Sequence, residues 1–188
     1  MRSLFLFYIF FASSFNVSAQ FGRERLIEAD ILLKQQKKIA DSTVILLIQT
    51  KEDAQTNDSI KVEIVYFLAQ LACDTCLAYL VEHVDDRFDY GSGGSDVDQF
   101  NFTACWGLLL QLSEQENAKW RTLSAILFSL KIKPRDDNFY GFIIPVALRI
   151  TSKAAIRSII EDKLSKNSTK RNKVYTKNLT QFLENLSK

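Results

Sequence analysis

From Glu24 nearly to its last residue, the chain returns an apolar side chain every third or fourth position. That spacing matches the turn of an α-helix, so each segment carries one apolar face that must be buried against a neighbour. Leu26, Ala29 and Leu33 mark a first segment, which closes in the polar run "KQQKK". Asp41 or Ser42 is the expected cap of a second, around Val44 to Ile48, where β-branched residues leave a short buried strand as the alternative. "NDSIKVEIVYFLAQLA" follows, with Asp58 or Ser59 as cap and Ile60, Ile64, Phe67, Leu68 and Leu71 on one stripe. Asp74 or Thr75 then opens a helix whose apolar stripe is Leu77, Leu80, Val81 and Val84. Beyond a glycine-rich break, the pattern predicts helices at 102–112, 120–130, 139–150, 156–164 and 174–186. Pro145 should kink the third of these, or else begin it. Only six glycines and two prolines occur, too few for the many tight turns of a β-sandwich, so the expected class is all-α.

The segments ending near Leu71, Leu112, Ile150 and Leu186 lie roughly 36 to 41 residues apart, a period that points to repeats. Over Ile60 to Val84, "IKVEIVYFLAQLACDTCLAYLVEHV" resembles the second helix of one HEAT repeat, its turn and the first helix of the next. Lys61-Val62 stands where that family often has a valine-arginine pair, and Cys73-Asp74 where it often has an aspartate-proline turn. No proline follows Asp74, and later segments match only in helix length and apolar spacing. The resemblance implies a short α-solenoid of stacked antiparallel helix pairs, each pair covered only by its neighbours. A compact helical bundle built of the same helices is the alternative.

At the N-terminus, "MRSLFLFYIFFASSFNVSAQ" combines a positive Arg2, an apolar run from Leu4 to Ala12 and a small-residue cleavage pattern at Val17-Ser18-Ala19. It reads as a signal peptide over residues 1–19, leaving a secreted or periplasmic chain that starts at Gln20. The apolar run is short of the ~20 residues that span a bilayer, and no later segment is long enough either, so no integral membrane segment is expected in the mature chain. The roughly 170 residues that remain suffice for one helical domain over 20–188 with its own core. Three cysteines are too few to staple such a domain, and an exported address is compatible with either a Cys73–Cys76 or a Cys76–Cys105 bond.

Cys73 and Cys76 form the one short motif with chemical potential. A thioredoxin-like use would place the first cysteine at a helix N-terminus after a strand, with cationic surroundings. Here a helix precedes it, aspartate follows it and no lysine or arginine is near in sequence, which favours a helix corner over a thiol-disulfide oxidoreductase. Zinc would need all of Cys73, Cys76, Cys105 and the single histidine, His83. "DDRFDYGSGGSDVDQ", residues 85–99, reads as an acidic, glycine-rich loop. Asp89, Asp96 and Asp98 could supply oxygen ligands to calcium, but the EF-hand spacing is missing. Nucleophilic catalysis has neither a second histidine nor a serine elbow, and Asp136-Asp137 is explained as a helix cap. No cofactor is implied.

Charge is distributed unevenly. Between Glu52 and Asp98 acids outnumber bases eleven to two, whereas from Ser152 onward bases outnumber acids nine to three. Asp85, Asp86, Asp89, Asp96 and Asp98 on one side, and Lys166, Lys170, Arg171 and Lys173 on the other, are therefore the candidate partner-binding residues. With a net charge of +2 and no aromatic-rich binding signature, nucleic acid is not the expected partner. The expectation is an exported, non-enzymatic interaction or scaffold protein that meets another protein.

Overall fold

The computed structural model describes Glu24 and residues 26–31, 39–85, 104–167 and 172–188. The expected signal peptide, most of the expected acidic loop, and Lys170 and Arg171 lie outside the described residues. Among those described, the regular elements are helices and none is a strand; the protein is all-α. After the helical residues 26–31 come α1 (Asp41–Glu52), α2 (Asp58–Leu71), α3 (Asp74–Glu82), α4 (Ala104–Ser113), α5 (Lys119–Ser129), α6 (Asp137–Ile150), α7 (Lys153–Lys166) and α8 (Lys173–Ser187).

The β-branched run of α1 is helical, because Val44 and Leu47 find cover on the inward face. Burial of a helical stripe outweighs the small propensity penalty of β-branching. Three caps differ from expectation, each by one position toward the N-terminus. Ala40 precedes α1 with no side-chain cap, and Asp41 falls in the first turn, where its charge still meets the helix dipole. Asn57 caps α2, its Oδ1 accepting the Ser59 N–H at 2.8 Å. Cys73 caps α3, its Sγ accepting the Cys76 N–H at 3.1 Å. The later capping clusters behave as their composition suggests. Asp136 accepts from the Phe139 N–H at 3.0 Å, and Ser152 accepts from the Ala155 N–H at 3.2 Å.

α6 runs unbroken through Pro145. The missing proline N–H leaves the turn before it less tightly bonded. In that turn the Phe142 carbonyl accepts a hydrogen bond from the Trp106 indole of α4 at 3.1 Å, and the two rings meet edge to face.

The chain divides into two compact units, with the boundary between Leu71 and Ala72. In the first unit α1 packs on α2, with Ile60, Ile64, Phe67 and Leu68 buried. In the second, α3 packs on α4 and α5, α4 on α5 and α6, α5 on α6, and α6 and α7 on α8. Extensive contact is thus confined to helices one or two places apart in chain order. The core of this unit includes Leu77, Leu80, Leu109, Ile126, Tyr140, Ile143, Ile156 and Phe182, all closed to solvent.

Candidate functional site

The start of α3 is the most chemically distinctive place. Leu71 ends α2, Ala72 takes a left-handed conformation (φ 44°), and Cys73 begins α3 as its cap. As the cap, Cys73 stands within bonding reach of Cys76 one turn later, and the two form a disulfide with Cα atoms 4.9 Å apart. Their exposures differ: Cys73 is half-buried and Cys76 is closed off entirely, because position 76 lies on the inward stripe with Leu77 and Leu80. Cys105, on α4, is buried and takes no part in the disulfide. With two of its four potential ligands bonded to each other, the zinc reading has no ligand set. Among the described residues no group of three His, Cys, Asp or Glu side chains could hold a metal ion.

The fold supplies what the local sequence lacks. Arg121, near the start of α5, reaches Asp74 with its Nη2 and Nε at 2.8 and 3.1 Å from one carboxylate oxygen. A guanidinium therefore docks on the residue beside Cys73. Sequence separation hid this pairing, since the two residues are 47 positions apart.

A second polar cluster holds α3, α6, α8 and the α5–α6 connection together. Asn178 is fully buried; its Nδ2 donates to the Leu130 and Lys133 carbonyls, each at 2.8 Å, and its Oδ1 accepts the Arg135 N–H at 3.2 Å. The Tyr140 hydroxyl donates to the Asn178 carbonyl at 3.1 Å. Burial pushes that phenol up to about 12. The Arg135 side chain lies over the Phe139 ring and bonds both the Ser129 carbonyl and Glu82. Lys133 reaches the other Glu82 oxygen at 3.1 Å. Burial raises the Glu82 carboxyl, but the hydrogen bonds and charges of Arg135 and Lys133 outweigh it and hold it below its ordinary value of 4.5. Each group in this cluster satisfies a buried backbone or charged partner, and the chemistry is structural.

Of the charged residues singled out by sequence, Asp85 lies in the turn after α3, while Asp86, Asp89, Asp96 and Asp98 lie outside the described residues. Lys166 sits in the last turn of α7 and pairs with Asp162 at 2.7 Å; Lys173 opens α8. The acidic and basic groups are not brought together by the described residues. What the charge pattern did not anticipate is an aromatic stripe on α5, where Trp120 and Phe128 are 52% and 55% exposed. They lie about 12 Å apart along one side of the helix. Exposed Ile132 follows, and the Lys131 amine stands between the rings of Phe128 and Tyr175 at 5.9 and 5.3 Å from their centres. These aromatics could have been found by asking which apolar residues fall off the buried stripe of α5, Leu123 and Ile126.

No protein-family model matches the chain, and neither a curated protein nor a solved structure matches it. What the fold defines is a class, an all-α protein, and the site narrows it to one that carries a disulfide at a helix cap.

Proposed function

We propose that the protein is an exported, non-enzymatic interaction module, a short HEAT-like stack that binds another protein through a broad face. The observation that supports this most is the packing order of the second unit, in which extensive packing joins helices one or two places apart. Such an order is what stacked repeats require and what a closed bundle, with its first and last helices in contact, lacks. It leaves outer helix faces uncovered, and on α5 the uncovered residues are Trp120 and Phe128, followed by Ile132 and Lys131. Exposed aromatics beside a cation are typical anchors for a protein partner that offers apolar side chains and a carboxylate.

The test is capture by the immobilised mature chain from the exported fraction of its native host, with Trp120→Ala/Phe128→Ala beside it. A partner held by the parent and lost by the double variant, while circular dichroism stays unchanged, supports the assignment. Equal capture by both removes the aromatic face from it. Cys73→Ser/Cys76→Ser in the same assay separates binding from any thiol chemistry, because an interaction module retains its partner without the cysteines.

A further inference from the structure

The ring closed by Cys73 and Cys76, three positions apart, is a weak staple, since the stabilisation a disulfide confers grows with the loop it closes. Its surroundings suit exchange chemistry better. Of the pair, Cys73 is half-buried, whereas Cys76 is sealed within the core. The Cys76 N–H is directed at the Cys73 sulfur, and the positive end of the α3 dipole falls on the same atom. Both favour a thiolate there once the bond is opened. Asp74 alone would oppose this, and Arg121 arrives from α5 to offset its charge.

We propose that Cys73–Cys76 is an exchangeable disulfide that takes two electrons from a pair of thiols on another protein, independently of the binding face on α5. A donor thiolate attacks the Cys73 sulfur, the bond between the two cysteines breaks, and its electron pair leaves on Cys76, which takes up a proton. The donor's second thiolate then attacks the donor sulfur in the mixed disulfide. The donor departs as a disulfide, and Cys73 is released as a thiolate held by the helix cap. Two electrons have passed from the donor dithiol to the pair, and no other oxidant enters the step. Arg121 is a positioning residue here, acting through Asp74 to keep the cap electropositive.

Incubating the folded mature chain in a series of reduced and oxidised glutathione mixtures, then acid-quenching, alkylating and weighing the cysteine peptides, tests this. The expected result is coexistence of the dithiol and disulfide forms within the series with the helical circular dichroism signal intact. In the Cys76→Ser variant, glutathione should accumulate as a mixed disulfide on Cys73; in Cys73→Ser it should not form on the buried Cys76. Arg121→Gln should slow alkylation of Cys73 in the reduced protein by about two- to fivefold at neutral pH and move its pH profile upward. Adding Asp74→Asn to that variant should restore both. A pair that stays oxidised in every mixture, or opens only as the helical signal disappears, overturns the proposal, as does equal mixed-disulfide formation on Cys76.

Discussion

The Asn178 side chain is the hydrogen-bond partner of three backbone groups at and around the α5–α6 connection. Asn178→Ala would strand those groups in the interior, so urea unfolding should show a loss of about 2–4 kcal/mol. Asn178→Asp should not rescue it, since a carboxylate would face two carbonyl oxygens that need a donor. Glu82 belongs to the same cluster and makes its contribution depend on pH. Its folded-state pKa lies below 4.5, so ionisation favours the fold. The stabilisation is complete above pH 4.5 and is lost as the pH falls through the lower folded value. Glu82→Gln should cost about 2–3 kcal/mol near neutrality by leaving Arg135 buried with a poorer partner. The gap between variant and parent, read from unfolding midpoints, should narrow on acidification. None of this was legible in the sequence: "KPRDDN" reads as a polar connection, and nothing local marks Arg135 as buried or Asn178, 43 residues later, as its partner.

At the scale of the elements the sequence was far more informative. Apolar periodicity located every helix from α1 to α8 to within a few residues of its ends, because burial of a stripe is repeated along the whole segment. Caps were harder, since several Asp, Asn and Ser side chains stand side by side at each start and the one that bonds is chosen by backbone geometry. In α3 the chosen cap was a sulfur, outside the usual set. Two substitutions follow from local backbone chemistry. Gly141 lies within α6, and a methyl group there would meet nothing within 4 Å. Gly141→Ala should therefore stabilise the protein by about 0.5–1 kcal/mol through helix propensity alone. Ala72, at φ 44°, occupies a conformation that costs an L-residue about 1 kcal/mol, so Ala72→Gly should raise the urea midpoint as well. A fall in stability for Ala72→Gly would mean that stiffness of the unfolded chain matters more at this position than strain in the folded one.

For the whole molecule, a net charge of +2 conceals an acidic middle and a basic end, and association through exposed charge is screened beyond about 8 Å at physiological salt. Replacing Lys166, Lys170, Arg171 and Lys173 with glutamine should weaken binding of an anionic partner, and neutralising Asp85, Asp86, Asp89, Asp96 and Asp98 that of a cationic one. Loss of the aromatic pair on α5 should instead weaken binding to a similar degree in low and high salt. Titrating one purified partner against the three variants across a salt series distinguishes the surfaces. Equal affinities throughout would mean that neither charged surface nor the α5 face is used. Asn178 carries one more implication, for production of the chain in a host whose secretory pathway glycosylates proteins. With Leu179 and Thr180 it spells an acceptor triplet for N-linked sugar, yet the folded protein has no room for a glycan on a side chain that is wholly enclosed. A secretory pathway that glycosylates nascent chains would attach sugar there before α8 could dock, and would release a product unable to close its core; a pathway without that enzyme would deliver the native fold.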